Sequence, residues 1–267
     1  MPEVNLLAVS VGNTRTRIGG FVDGQLAETA TFVNERNGKI TDAIDHAYAP
    51  LRERETAAVL LSSVNPAVAE EVAAALAAHL GHEVLRVERD VPIPIGRQLD
   101  PEAMVGEDRL LNAAAAYDVL KQAAVVVDAG TAITVDFVDG AGTFHGGAIA
   151  PGGQLMMDSL NQRTAALPEV EFGRPDGAIG HNTHAAMRAG AYYGLRGMVR
   201  ELVERMAEEL GQFPMVVATG GDGALLFKDD ELIDRVVPDL TLMGLALTQR
   251  VALERAGGTG GAGGQGA

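Results

Sequence analysis

Asp128, Gly130 and Thr131 stand together just after an apolar run, Ala124–Val127. One short loop therefore carries a carboxylate, a hydroxyl and bare backbone N–H groups. That mixture suits a phosphate and its cation: the donors face anionic oxygens and the carboxylate takes positive charge. An ordinary hairpin with an Asp-stabilised turn would use the same letters. The pattern, however, occurs twice. Ser10-Val11-Gly12-Asn13-Thr14 occupies the place of Asp128-Ala129-Gly130-Thr131-Ala132, again after an apolar run. Each copy then closes on Phe-Val-Asp-Gly, at Phe21–Gly24 and Phe137–Gly140. The offset is 118 residues at the loops (128 − 10) and 116 at the closing motif (137 − 21). Solenoid repeats run roughly 20–50 residues, so this is a domain-sized duplication. Two related halves, each with a phosphate-type hairpin, suggest a nucleotide in a cleft between them.

Further residues join this set. Gly106-Glu107-Asp108-Arg109 opens a helical stretch within Pro101–Leu120. Acids at a helix start can be plain complements to the macrodipole, or they can do chemistry, and the spacing alone leaves both open. A third strand-to-glycine junction is Thr219-Gly220-Gly221-Asp222-Gly223. Of the histidines, none pairs with a carboxylate at ligand spacing, so His79, His82, His145, His181 and His184 read as loop or surface residues.

The elements that must position these residues follow from pattern. Leu6–Val22 reads as two strands and Gln25–Asn34 extends the meander. A short helix is predicted over Ile40–Tyr48, a buried strand over Ala57–Val64 and a helix over Ala67–Leu80 with Pro66 at its first turn. Val84–Val87 is another strand, and Val91–Asp100, with two prolines, is an extended loop. Thr143–Ile149 forms a short strand after an Asp139-Gly140 turn, and Gln162–Gly180 is loop-rich. Asn182–Leu210 is a long helix in which Gly190, Gly194 and Gly197 share one side. Glycine costs about 1 kcal/mol per helical position, so that side must gain by close packing, against a partner copy or within the chain. Leu240–Leu253 closes the fold. The domain expectation is residues 1–115, 116–255 and a disordered Gly/Ala tail at 256–267.

Composition narrows the function. The 267 residues are 47% hydrophobic, enough for a core, and carry a net charge of −15 with no Lys/Arg-rich run. Nucleic acid is therefore a poor partner, because backbone phosphates need a basic footprint. Arg15, Arg17 and Arg109 are the cations placed to meet an anionic substrate. With no cysteine there is no disulfide framework or thiolate zinc site. No apolar run reaches a membrane span, and the start lacks a basic leader, so a cytoplasmic protein is expected.

The motifs together resemble type III pantothenate kinase, within the actin-like ATPase and sugar-kinase superfamily. They are Val11-Gly12-Asn13-Thr14, Gly106-Glu107-Asp108-Arg109 with Asn112 and Ala115-Ala116, and Asp128-Ala129-Gly130-Thr131-Ala132. Gly146-Gly147 with Pro151-Gly152, Gly180-His181-Asn182-Thr183 and Thr219-Gly220-Gly221 follow in order. The resemblance implies an α/β fold of two duplicated ribonuclease-H-like lobes and ATP-dependent phosphorylation of pantothenate. It also implies Mg2+ with the ATP, a monovalent cation (K+ or NH4+) and a homodimer. By position, Asp108 would be the general base, unperturbed near the usual ~3.9 of an aspartate. Gly106, Glu107, Asp108, Arg109 and Thr183 would bind substrate. Ser10, Val11, Gly12, Asn13, Thr14, Arg15, Thr16 and Arg17, with Thr131, would contact ATP, and Asp128 would bind the monovalent cation. One position departs: Ser10 stands where the resemblance puts an aspartate that handles magnesium. A working kinase, a ligand-binding relative without turnover, and a phosphotransferase for another small molecule are the readings this leaves.

Overall fold

The computed structural model describes residues 4–34, 40–54 and 57–258. The Met1–Glu3 start and the Gly/Ala segment from 259 on lie outside the described residues. Two compact units result. The first takes the described residues up to Ile95, Met104–Ala115 and the helix from Thr241 on; the second takes Gly96–Ala103 and Ala116–Leu240.

In the first unit, β1 (Leu6–Val11), β2 (Arg15–Val22) and β3 (Gln25–Val33) form an antiparallel meander. After α1 (Ile40–Tyr48), β4 (Ala58–Ser63) lies parallel to β1. After α2 (Pro66–Leu80), β5 (Val84–Arg86) lies parallel to β4, giving the order β3-β2-β1-β4-β5. A continuously buried β1 requires cover on both faces. Leu7, Val9 and Val11 pack with Ile44 and Ala47 of α1 and Val72 and Leu76 of α2. On the other side come α3 (Glu107–Leu120), through Ala115, and α7 (Leu240–Gly258), from Thr241. A Cβ on Gly19 would lie 2.8 Å from Leu242, and one on Gly244 would lie 2.5 Å from the Leu111 carbonyl. The closing helix thus sides with the first unit although it is last in the chain. Thr241 Oγ1 donates to Asn112 Oδ1 (2.8 Å) at the same seam.

The second unit repeats the plan. β7 (Ala124–Ala129), β8 (Ala132–Val138) and β9 (Thr143–Pro151) form the meander. Following α4 (Gly153–Arg163) and α5 (Thr183–Leu210), β10 (Met215–Thr219) lies parallel to β7. α6 (Gly223–Phe227) leads to β11 (Arg235–Val236), parallel to β10. The order β9-β8-β7-β10-β11 matches the first sheet strand for strand. One addition is β6 (Gly96–Arg97), which joins the far edge of β9 in parallel. Val125, Val127 and Ala129 form the core with Tyr192, Leu195, Val199 and Val203 of α5 and Phe227 of α6.

Several boundaries differ from the sequence reading. α3 starts at Glu107, and Pro101–Val105 is not helical; Gly106, between that segment and α3, disfavours a continuous helix. Asp139–Gly142 makes a four-residue turn, with Gly142 at φ +78°, where the first copy turns in two residues, Asp23-Gly24. The helices α4 and α6 make no side-chain cap hydrogen bond, and α4, which opens at Gly152-Gly153, carries no start signal in its sequence. α7 runs through Gly258, past the expected start of a tail at 256.

Candidate active site

The first hairpin turns at Gly12-Asn13-Thr14. Gly12 N–H donates to the Arg15 carbonyl (3.0 Å), and a Cβ on Gly12 would press within 2.9 Å of that oxygen. Asn34, the residue after β3, holds the turn. Its backbone N–H donates to Thr14 O (3.0 Å), while its side-chain amide donates to Gly12 O (2.9 Å) and Asn13 O (3.1 Å). Its Oδ1 accepts from Thr16 Oγ1 (2.8 Å). Asn13, Thr14 and Arg15 remain exposed, Ser10, Gly12 and Arg17 are half-buried, and Val11 and Thr16 are buried. Of the expected ATP-binding segment, Val11 and Thr16 are therefore part of the core and sheet and present no side chain to a ligand.

Gly106-Glu107-Asp108-Arg109 stands at the same end of this sheet. Ser63 is paired with Val11 across the parallel strands, and Val64 N–H continues the ladder to Val11 O (3.0 Å). The Ser63 N–H donates to Glu107 Oε2 (2.8 Å). Gly106 lies beside Val64, its virtual Cβ 3.3 Å from Val64 Cγ1 and 2.6 Å from Asp108 Oδ1. Asp108 Oδ1 accepts the Arg109 N–H (2.8 Å) over the start of α3. The candidate base and the first hairpin are thereby tied to neighbouring strand ends of one unit.

Electrostatics at this end is not that of an unperturbed carboxylate. Burial pushes the Asp108 carboxyl above its ordinary value, although the Arg109 N–H and guanidinium favour the charged form. The expectation of an unshifted aspartate is corrected accordingly: the loss of water around it outweighs its donors. Burial also pushes Glu107 up against the Ser63 N–H, with Glu88 and Asp108 adding like charge and Arg86 opposing.

The second unit assembles an analogous end. Gly130 N–H donates to Ala132 O (3.0 Å), as Gly12 does to Arg15. Gly152 follows β9 as Asn34 follows β3, and its N–H donates to Thr131 O (3.0 Å). A Cβ there would meet the Gly130 carbonyl at 2.1 Å. Asp128 is paired with Thr219 of β10. Beyond it the chain bends through Gly220 (φ +88°), whose virtual Cβ lies 2.4 Å from both Asp128 Oδ1 and Ala129 O. Asp222 N–H then closes on Ala129 O (2.9 Å). Asp128, Thr131 and the Thr219–Asp222 junction thus converge at the carboxyl ends of parallel strands, where open α/β sheets bind ligands. Thr183 is exposed at the first residue of α5, on another element, after the Asn182 cap that accepts the Ala185 N–H (2.9 Å).

Asn34 and Gly152 escaped the sequence reading as hairpin clamps. The only available signal is their shared place, one residue past the third strand of each meander. Met157 is core, buried with Val170, Met187 and Ala191.

Comparison with known proteins agrees with this geometry. A family model for type III pantothenate kinase matches residues 6–205. A type III pantothenate kinase of Moorella thermoacetica is 38% identical over 256 residues, covering 94% of this chain and 99% of the relative. One from Frankia alni is 35% identical over 251 residues, covering 91% and 97%. Among solved structures, component A of the (R)-2-hydroxyglutaryl-CoA dehydratase of Acidaminococcus fermentans superposes with a TM-score of 0.56 at 13% identity, covering 95% of this chain and 99% of that one. MreB5 of Spiroplasma citri bound to ADP gives 0.50 at 14%, covering 96% and 99%. These likenesses show the actin-like ATPase fold of two duplicated ribonuclease-H-like lobes, in agreement with the repeated strand order. The chain belongs to the type III pantothenate kinase family.

Proposed function

We propose how this chain's residues divide the family's reaction, transfer of the ATP γ-phosphoryl group to the pantothenate hydroxyl, the first step toward coenzyme A. The hydroxyl oxygen forms a bond to the γ-phosphorus as the bond to the departing ADP oxygen breaks. The hydroxyl proton passes to an Asp108 carboxylate oxygen. Phosphoryl transfer asks mainly for positioning and charge neutralisation, with the proton leaving late. A base whose affinity for protons is raised by burial suits that task better than an ordinary aspartate. Arg109, with Gly106 and Thr183, would hold the substrate, the guanidinium taking the pantothenate carboxylate. The turn N–H groups between Ser10 and Arg17, with Arg15, Arg17 and Thr131, would meet the ATP phosphates.

The family's reaction uses ATP with a divalent metal, for which magnesium is our choice. The hard oxygen donors at these strand ends fit such an ion, since a triphosphate supplies much of its coordination. At the second hairpin, the Asp128 carboxylate and the Ala129 carbonyl both lie close to Gly220, oxygen donors that suit K+ or NH4+. The α5 glycines support a homodimer. Gly190, Gly194 and Gly197 are exposed, and a Cβ on any of them would meet nothing within 4 Å of this chain. Internal packing thus leaves them without a purpose that a second copy would supply. No helix of the described residues is long and apolar enough to cross a membrane, and ATP as donor fits a cytoplasmic enzyme.

The tie between Glu107 and Ser63 carries this reading, because it seats the Asp108-bearing helix beside the first hairpin. A coupled assay of ADP release, with 4′-phosphopantothenate identified by mass, tests it. Pantothenate-dependent turnover is expected with magnesium and potassium. Absence of product across magnesium, manganese, potassium and ammonium would sink it. Sedimentation of the wild type as a dimer, and of Gly194→Arg as a monomer, is the expected result for α5.

A further inference from the structure

Each unit sets a carboxylate beside the end of its second parallel strand, from a different side. In the second unit, the position after Thr219 is Gly220, and the carboxylate that crowds it is Asp128, from the hairpin's own first strand. In the first unit the corresponding strand residue is Ser10, and the position after Ser62 is Ser63. Its N–H is met by the carboxylate of Glu107, from α3. Parallel ladders bond alternate residues to opposite neighbours. Pairing of β5 ends at Leu61 with Arg86, so the Ser63 N–H points past the end of β5. A buried N–H left there would be costly, and Glu107 satisfies it across 44 residues of sequence.

We infer that Glu107 is a positioning residue for Asp108: its hydrogen bond to Ser63 anchors the first turn of α3 to the strand end from which the ATP-binding hairpin springs. Resting on the reaction assignment above, this gives Glu107 a role other than direct contact with pantothenate. Since Asp108 is the next residue along and its Oδ1 accepts the Arg109 N–H of the same turn, the register of that turn sets where the base stands. A misplacement of about 1 Å can cost ~10²-fold in rate.

Crossed substitutions separate bond from charge. Glu107→Gln keeps an oxygen at the same reach for the Ser63 N–H but removes the charge. Glu107→Asp keeps the charge but falls one methylene short, and Glu107→Ala removes both. We expect kcat to fall less than ~5-fold in Gln and by ~30–100-fold in Asp and Ala, with KM for ATP within ~3-fold of wild type throughout, as the hairpin is held independently by Asn34. Amide exchange at Ser63 should stay slow in wild type and Gln and become fast in Asp and Ala, a readout that survives even if a variant loses activity. The inference is overturned if Gln falls as far as Ala, which would make the charge the active feature. It is equally overturned if Ala keeps full kcat, or if only KM for pantothenate moves. A wild type that forms no phosphopantothenate yet shows the exchange pattern would refute the reaction assignment instead.

Discussion

The two hairpins share a backbone and differ in charge. Each has a glycine whose N–H turns back to a carbonyl two or three residues on, and each is closed by an N–H from the residue after its third strand. The first carries Ser10, Arg15 and Arg17, with Ser10 directly across from Arg17. The second carries Asp128 across from Thr134, with Thr131 at the turn. One face is cationic and fits phosphate oxygens; the other is anionic and fits a cation. The duplication preserved the geometry that presents a loop, and side chains at a few strand-end positions set what the loop prefers. That division fits the roles proposed for each hairpin.

The largest expected effect removes the candidate base of the first unit. Asp108→Asn should lower kcat by ~10³-fold, within the ~10²–10⁴ span of general-base catalysis, while Asp128→Asn should mainly weaken the dependence on monovalent cation. Because burial raises the Asp108 pKa above 3.8, the charged form is disfavoured in the folded protein. Its contribution to stability is then complete below the unfolded pKa and lost as pH rises through the folded one. At neutral pH the carboxylate costs stability, so Asp108→Asn should raise Tm above pH 7 and give no gain near pH 3. Each ~1 kcal/mol is worth about 2–4 °C in a chain of this size. The acid limb of the wild-type rate profile should lie above the ordinary aspartate range. A lower Tm for the Asn variant at neutral pH would contradict the burial argument.

Next come the two clamps. Gly152→Ala forces a Cβ to 2.1 Å from the Gly130 carbonyl and 2.6 Å from that of Thr131, both backbone atoms, and should cost roughly 3 kcal/mol or more. Asn34→Ala removes side-chain bonds to Gly12 O, Asn13 O and Thr16 Oγ1. Some of those groups can turn to water, so about 1–3 kcal/mol is expected, with KM for ATP raised several-fold as the first turn loosens. Denaturant titrations should rank Gly152→Ala below Asn34→Ala in stability. The reverse order would mean that the second hairpin yields more readily than its contacts suggest.

Much of this was legible in the sequence because the informative signals are local. The paired hairpins, the bounds of α1 and Pro66 at the first turn of α2 all follow from residues within a few positions of one another. What escaped depends on distant partners. Nothing near Glu107 reveals that its carboxylate meets Ser63, and nothing near Asn34 reveals the turn it closes. β6 is two residues long in a proline-bearing segment, and exists only because β9 offers an edge. The Asp108 environment is likewise a property of packing, so an isolated aspartate value misjudged it.

The smallest effect tests the charge difference itself. Ser10→Asp gives the first hairpin the acid that the second has at Asp128. Two consequences oppose each other. A carboxylate at the strand end adds a hard oxygen donor for the divalent ion that accompanies ATP. It also stands opposite Arg17 and would draw that guanidinium away from phosphate. Ser10 and Arg17 are both partly exposed, so their pairing is worth at most ~1 kcal/mol, less than a metal ligand adds. We therefore expect the magnesium needed for half-maximal rate to fall about 3-fold at saturating ATP, with kcat rising by ~2–5-fold and KM for ATP rising by less than that. Magnesium titrations of wild type and variant decide it. A higher magnesium requirement would show that the competition for Arg17 wins, and that the cationic character of this hairpin matters more than a second carboxylate beside it.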